Sequence, residues 1–473
     1  MKLMLFAPEL FMLLGSLLIF LFSLSDDDGI SSRVAAIATS IGAVVLSFVS
    51  LNNNGMLFFD AYQVDLFSQL FKLMIAIGTT AVLLFSRELK GIQEKIRPEY
   101  YLFLILSSLG LMMLVSSVEL ISMFIALELS SFCLYVLVPM RDDQKGLRTQ
   151  MESAIKYIFY GVIATGIMLF GMSYLFGLTG TTYFNELIPK LHTLASEPVA
   201  IVGIAMVLCG FFFKLAVFPF HFWVPDVYQG ASNETTAFIA SVPKLAAVAL
   251  LIRITTLVTP QSDAIISIFV VLAVCSMFYG NLCALVQKDI KRMLGFSGIA
   301  HAGFILLGLL TMKETGYATS IYYIFGYLVM NLACFLVICN VSGQGENVTI
   351  DDLSGLHKRA PLLALTMAIG MFALAGIPPF VGFMGKFMLL TGALQAGQLT
   401  LVILAALNTA IAIYYYLSVV KVTYCNSPEG FDDVDVSLMT KTVSIGLIVA
   451  IILMGIMPAK ILAIASSAVQ GIL

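Results

Sequence analysis

Apolar residues along this chain fall in runs too long for the core helices of a water-soluble domain. A membrane span needs roughly 20 apolar residues. About fourteen stretches meet that length: 4–24, 34–51, 64–86, 100–117, 119–139, 153–177, 198–222, 233–257, 264–286, 294–312, 317–342, 362–391, 399–422 and 440–458. Short polar connections separate them, the longest of about twenty residues, so no soluble domain interrupts the pattern. Only helices and closed barrels satisfy their backbone in lipid, and runs of this length select helices. The expectation is an all-α membrane protein of about fourteen transmembrane helices. The boundary near 59–72 is less sharp, because an amphipathic lead-in with Asp60, Asp65 and Lys72 enters the third run. The first run is long for a signal peptide, shows no small-residue cleavage site and precedes Ser25-Asp26-Asp27-Asp28, so it reads as a retained span.

The lysines and arginines between the runs set an orientation. Connections after odd-numbered spans hold fifteen of them: Arg33, Arg87, Lys90, Lys95, Arg97, Arg141, Lys145, Arg148, Lys288, Lys291, Arg292, Lys358, Arg359, Lys421 and Lys441. Connections after even-numbered spans hold only Lys190 and Lys313. Odd connections are therefore expected in the cytoplasm, with both termini on the outer, periplasmic side of a cell inner membrane.

Prolines add an internal symmetry. Span seven carries Lys214 and Pro219, and span twelve carries Pro378, Pro379 and Lys386. They lie five spans apart, an odd number, so a repeated five-helix unit must insert upside down the second time. The chain divides into an N-terminal three-helix segment (1–99), a first five-helix repeat (100–257), a second, inverted repeat (258–424) and a C-terminal span (425–473). Each repeat has a broken fourth helix, and paired broken helices mark the functional site of such transporters. Aligning Pro219 with Pro379 places Leu374 opposite Lys214.

Composition agrees with lipid as the solvent. Hydrophobic residues make up 60% of the chain and charged residues 11%, against about 25% charged in soluble domains. The net charge of −3 comes without a basic cluster dense enough for nucleic acid. The seven cysteines form no C-x-x-C pair and sit mostly in apolar runs, which argues against zinc, iron–sulfur clusters and a disulfide framework. No phosphate-binding glycine loop and no nucleophile–base constellation is present. The chain must be driven by a gradient or by a partner.

Candidate chemistry lies in the charges inside spans. A charge at the bilayer centre costs at least about 2.5–3.5 kcal/mol on insertion scales, yet Lys72, Lys156, Lys214, Lys244, Arg253 and Lys386 lie within the runs. Arg253 is a turn from the end of span eight and can snorkel to the outer interface. Lys156 follows Glu152 by four residues, a favourable helical pair. Lys72 shares a helix face with Asp65 and Ser68, which leaves a static and a functional role equally open. Lys214, Lys244 and Lys386 have no acid at i±3 or i±4 and border helix breaks or, for Lys244, follow Pro243. Buried lysines shift toward neutral pH and can lose and regain a proton.

Glu128, in Ile125-Ala126-Leu127-Glu128-Leu129-Ser130, is the matching acid, and Lys214 is its natural partner, as a switchable or a purely structural pair. His301 lies in span ten, the counterpart of span five, where Glu128 sits in the other half; it is a proton relay or a packed neutral ring. His221 follows Pro219 at the outer end of span seven, with an exit-side or a structural role equally open.

Two segments carry a resemblance. DLSGLHKRAPLLALTMAIGMFALAGIPPFVGFMGKFMLL, from Asp352 to Leu390, and GFFFKLAVFPFHFWVPDVYQGA, from Gly210 to Ala231, resemble the characteristic segments of the proton-translocating, antiporter-like subunits of respiratory complex I. APELFMLLGSLL near the N-terminus, ELSSFCLYVLVP around Glu128, the stretch from Glu152 and GFSGIAHAGF around His301 are similar to the subunit N line of that family, and the likeness spans essentially the whole chain. The resemblance implies that Glu128 and Lys214 form the coupling ion pair, that Lys244 is the central relay lysine, that Lys386 belongs to the outlet half, and that His301 belongs to the polar axis between halves.

It further implies a subunit of a proton-translocating NADH–quinone oxidoreductase with no redox centre of its own. NADH, FMN, iron–sulfur clusters and quinone would be bound by partner subunits, and the neighbours would be other membrane subunits, antiporter-like ones among them. A related subunit that carries a glutamate in broken span twelve is disfavoured by Lys386. The alternatives are a subunit of a multi-subunit Na+/H+ antiporter or membrane-bound hydrogenase, and a non-pumping scaffold whose charges only hold helices together.

Overall fold

The structure, a computed structural model, describes residues 2–25, 29–86, 88–142, 146, 148–194, 197–256, 263–427 and 433–472. Arg87, Lys145 and Asp26-Asp27-Asp28 lie outside the described residues. Among the described residues, twelve helices are long and apolar enough to cross a membrane, and Ala7–Ser23 and Pro361–Ala375 are shorter apolar helices. Together these fourteen match the fourteen apolar runs one for one.

The N-terminal segment consists of α1 (Ala7–Ser23), α2 (Ile30–Val49) and α3 (Leu66–Phe85). A first series follows: α4 (Arg97–Ser116), α5 (Leu120–Leu137), α6 (Thr149–Thr179), the short α7 (Phe184–Thr193), then α8 (Pro198–Leu215) and α9 (Trp223–Gly230) as two pieces of an interrupted helix, and α10 (Asn233–Thr255). The second series is α11 (Asp263–Ala284), α12 (Ile290–Leu309), α13 (Glu314–Val341), the interrupted pair α14 (Pro361–Ala375) and α15 (Val381–Gln395), and α16 (Leu399–Cys425). The chain ends in α17 (Leu438–Ile456) and α18 (Pro458–Gln470). Two features were absent from the sequence pattern. The lead-in to the third run is a β-hairpin, Gly55–Leu57 paired with Tyr62–Val64, and α18 follows the last apolar run.

The two series share a packing register. A Cβ added at Gly110 of α4 would meet Ser130 N at 2.7 Å and Ala126 O at 3.1 Å of α5. At Gly280 of α11 it would meet Ala300 N and Phe296 O of α12, each at 2.6 Å. Small residues let these helix backbones touch, as membrane helix pairs require. In this register the counterpart of Glu128 is Gly298, not His301, which lies one turn further along; span-by-span counting cannot resolve that shift.

Burial follows the same architecture. Every residue of α10 is buried, as are nearly all of α12 and α13. A helix that is apolar all round belongs in a core, and these three form the hub. Outward faces remain apolar at Leu14, Phe48, Ile155, Phe159 and Tyr414, all exposed, the surface that lipid or a neighbouring chain would cover.

Connections segregate to two faces. Arg141 donates to Gln229 O (2.7 Å) and Gly345 O (3.0 Å), Lys90 to Ser342 O (3.2 Å), and Lys291 to Ala231 O (2.9 Å). These bonds tie the connections after spans three, five, seven, nine and eleven together, with cations on helix-terminal carbonyls. On the other face Val118 N donates to Ala61 O (3.0 Å) and His192 lies 3.2 Å from Thr256 O.

Candidate functional site

Lys214 lies in the last turn of α8 and is 3% exposed. Its ammonium donates to Ser131 Oγ at 3.1 Å and Ser130 Oγ at 3.4 Å on α5. Ser130 Oγ in turn lies 3.1 Å from Ser107 Oγ on α4. Glu128 is half-buried, with Oε1 buried and without a hydrogen-bond partner. Ile125 and Phe132, one turn to either side of it, are exposed, so Glu128 sits toward the outer surface of the chain. Among the described residues no Glu128–Lys214 contact falls within 4 Å. The expected ion pair is therefore not a direct one: two serine hydroxyls occupy the lysine.

Past Lys214 the chain turns at Ala216, which adopts the left-handed conformation (φ 70°), and Trp223 Nε1 donates to Phe213 O at 3.1 Å. α9 then continues toward the face of Arg141. His221, expected at the outer end of span seven, lies inside this break instead, wholly buried against Phe218, Phe222 and Tyr279. Neither ring nitrogen has a hydrogen-bond partner.

The hub carries a connected polar cluster. Lys244 on α10 is 1% exposed and donates to Tyr327 OH at 3.2 Å. Asn331 Nδ2 donates to the same hydroxyl (3.3 Å), to Ser241 Oγ (3.3 Å) and to Ala240 O (3.0 Å), in the turn that Pro243 disturbs. The Tyr327 ring lies 5.1 Å from the His301 ring. His301 Nδ1 is 2.6 Å from Tyr323 OH and Nε2 is 3.1 Å from Tyr416 OH, which donates to Ser297 Oγ at 2.7 Å. His301 is thus held by two tyrosine hydroxyls, either of which can give or take a proton. Gly298 completes the arrangement, since a Cβ there would meet Lys244 Nζ at 2.7 Å and Tyr327 OH at 2.8 Å.

Lys386 on α15 points back into the second break. It donates to Leu374 O (2.9 Å) and Ala375 O (3.1 Å), carbonyls left free where α14 ends, and lies 5.1 Å over the Phe304 ring. Leu374 is the residue that proline alignment sets against Lys214. Each break therefore carries a lysine ammonium, from the first piece in one series and from the second piece in the other.

Three further charges lie within the runs, and each has an acid partner, for Lys156 the expected one. Arg253 does not snorkel: it is 4% exposed and donates to both Asp65 oxygens at 3.1 and 2.9 Å. Lys72 pairs with Glu9 of α1 at 2.6 Å, both fully buried, and Tyr62 OH donates to Glu9 at 2.7 Å; Asp65 is taken by Arg253. Lys156 keeps Glu152 (2.6 Å) and adds Asp226 (2.7 Å), which also binds Arg292. Glu234 is buried in the first turn of α10, where an acid is ordinary beside the helix dipole, so nothing in the sequence marks it. Among the described residues no group of three or more His, Cys, Asp or Glu is placed to hold a metal ion, and all seven cysteines are free.

Residues 117–412 match the family described as NADH:quinone oxidoreductase/Mrp antiporter, transmembrane. NADH-quinone oxidoreductase subunit N 2 of Opitutus terrae is 51% identical over 455 residues, covering 96% of this chain and 95% of that one. Its namesake in Syntrophobacter fumaroxidans is 40% identical over the full length of both. Among solved structures, a chain of respiratory complex I from Thermus thermophilus with bound aureothin superimposes with a TM-score of 0.85 at 28% identity, over 97% of this chain and 99% of that one. A chain of the Mrp complex from Dietzia reaches 0.88 at 21% identity, over 100% and 98%, a likeness of fold alone.

Proposed function

This chain belongs to the NADH:quinone oxidoreductase/Mrp antiporter family, within it to the subunit N line of NADH-quinone oxidoreductases, and on that premise we propose that Glu128, Lys214, Lys244, His301 and Lys386 form its proton path. It is an antiporter-like, proton-translocating subunit of a multi-subunit oxidoreductase. The antiporter alternative is not favoured, because identity is high to subunit N and only the fold is shared with the Mrp chain.

The observation that carries the path is the hub cluster: Lys244, Tyr327, His301, Tyr323 and Tyr416, all buried, in hydrogen-bond or ring contact. Polar and ionisable groups are costly inside a membrane, and those not neutralised by an ion pair usually mark an ion or proton pathway. Glu128 faces outward, where a neighbouring subunit's movement changes its surroundings, and its charge biases Lys214 by a through-space effect rather than by contact. When that bias falls, the ammonium of Lys214 releases its proton through Ser130, Ser131 and intervening water toward a neutral Lys244 amine. From there Tyr327, His301 and Tyr323 lead toward Lys386. Moving one proton against about 150 mV takes roughly 3.5 kcal/mol, the size of a shift of a few units in a buried lysine at 1.36 kcal/mol each.

The division at 1–99, 100–257, 258–424 and 425–473 into an N-terminal segment, two inverted repeats and a final span is supported by the shared Gly110 and Gly280 packing and by the two breaks. We place both termini on the periplasmic side of the inner membrane, and flavin, iron–sulfur and quinone chemistry in partner subunits.

The test uses the assembled complex in membrane vesicles. Lys214→Ala, Glu128→Ala and Lys244→Ala are each expected to lower NADH-driven proton pumping several-fold while the complex still assembles. Undiminished pumping per electron in any of them removes that residue from the path. His301→Ala with normal pumping assigns the histidine to packing.

A further inference from the structure

A cavity of about 550 Å³ opens among the connections of the cation-bearing face, lined by Ser86, Lys90, Glu234, Asn340, Glu346 and Asp435 among others. Every wall belongs to a connection after an odd-numbered span or to the helix ends beside it. Glu234 is the deepest-set acid there: it is 4% exposed, and its Oε2 is buried with no hydrogen-bond partner. An acid in the first turn of α10 suits the helix dipole. The dipole does not explain why one carboxylate oxygen is buried and left unpaired beside a cavity roomy enough for many waters, an arrangement that costs free energy unless water or a proton satisfies it.

The cations whose charges reach Glu234 are Lys291 and Arg141. Both donate elsewhere, Lys291 to Ala231 O and Arg141 to Gln229 O and Gly345 O. Neither is within 4 Å of the carboxylate among the described residues. Glu234 is therefore held near positive charge without being locked to it.

Position along α10 gives the carboxylate a direction. Glu234, Ser241 and Lys244 fall at i, i+7 and i+10, one face of the helix. Ser241 Oγ accepts from Asn331, Asn331 also reaches Tyr327 OH, and Lys244 donates to Tyr327 OH. From Ser241 inward the polar groups are contiguous. Between Glu234 and Ser241 the helix rise leaves about 10 Å, a length that water drawn from the cavity would fill.

We propose that Glu234 is the proton-uptake group of this chain, loading from water in the cavity and delivering to Lys244. The proposal rests on the reading of Lys244 as a proton-handling lysine. The Glu234 carboxylate takes a proton from hydronium in the cavity, forming its O–H bond and leaving water. That O–H then breaks as the proton passes through water past the Ser241 hydroxyl to Tyr327, which Asn331 holds in place, and the Tyr327 hydroxyl hands a proton on to the neutral amine of Lys244. An ammonium forms there and Glu234 returns to carboxylate, so charge and protons balance with no further reactant.

The experiment measures NADH-driven proton pumping per electron in vesicles carrying the assembled complex with Glu234→Gln, Glu234→Asp, Gly343→Trp or Lys244→Ala, with assembly followed on native gels. Glu234→Gln is expected to cut pumping roughly tenfold or more, and Glu234→Asp to restore most of it, which a loss of packing alone would not do. Gly343→Trp leaves Glu234 intact but fills the cavity; a Cβ at Gly343 meets only Glu346 Oε1, at 3.6 Å. It is expected to slow pumping as well, and it carries the test if Glu234→Gln fails to assemble. Wild-type pumping in assembled Glu234→Gln or Gly343→Trp, with pumping lost in Lys244→Ala, overturns the uptake role and leaves the path standing. Wild-type pumping in Lys244→Ala as well overturns both.

Discussion

Glu9 and Lys72 show what a buried charge requires. Their ammonium–carboxylate contact of 2.6 Å lies between side chains with no exposure, and Tyr62 donates a further hydrogen bond to the acid. Leaving one member of such a pair without the other typically costs about 3–5 kcal/mol, whereas removing both is often tolerated. Glu9→Gln or Lys72→Met alone is therefore expected to lower the thermal inactivation midpoint of the detergent-solubilised complex markedly, and Glu9→Gln with Lys72→Met to recover most of the loss. Equal midpoints for the two single variants and wild type would contradict the pairing. The sequence displayed Lys72 as an anomaly but not its partner, because Asp65 was nearer in sequence and Glu9 belongs to another helix. The same reason hid the Arg253–Asp65 bond and the two serine hydroxyls that accept from Lys214. A helix shows its own i±4 neighbours in the chain; it does not show what faces it.

At the scale of elements, the interrupted helices were legible because proline cannot continue a helix. Pro219 and Pro379 located both breaks to within a few residues. What they could not reveal is how each break is finished. α8 ends at Ala216 with φ 70°, and α14 ends at Gly376 with φ 85°. A side chain in the left-handed region costs roughly 1–2 kcal/mol, and glycine avoids that cost. Ala216→Gly is expected to raise the thermal midpoint slightly with pumping unchanged. Gly376→Ala is expected to do harm twice, through backbone strain and because its Cβ would sit 3.0 Å from Lys386 Cδ. Displacing that side chain pulls its ammonium from the Leu374 and Ala375 carbonyls, so pumping falls along with stability. If Gly376→Ala loses stability but pumps normally per assembled complex, the seat of Lys386 on those carbonyls does not matter for transport. The register of the two series is a further element-scale fact that counting spans misplaced, since it rests on Gly110 and Gly280 touching backbone rather than on where apolar runs begin.

At the scale of the molecule, the cation bias predicted which connections share a face, and the hydrogen bonds of Lys90, Arg141 and Lys291 join those connections directly. The bias could predict this because positive residues are retained on one side during insertion, a rule that acts on whole connections and needs no knowledge of packing. The same rule is the ground for the proposed cytoplasmic face, and that proposal is open to direct chemistry. Cys425, at the end of α16 on the cation-bearing face, is the one exposed cysteine among the seven. A membrane-impermeant maleimide is expected to label it in inside-out vesicles, where the cytoplasmic face is turned outward, and to leave it unlabelled in intact spheroplasts. The uptake cavity beneath Glu234 opens on that same face, so the labelling also fixes the compartment from which protons would be drawn. Labelling of Cys425 in spheroplasts alone would invert the chain, place both termini in the cytoplasm and turn the Glu234 cavity from an uptake site into one that faces the side of release.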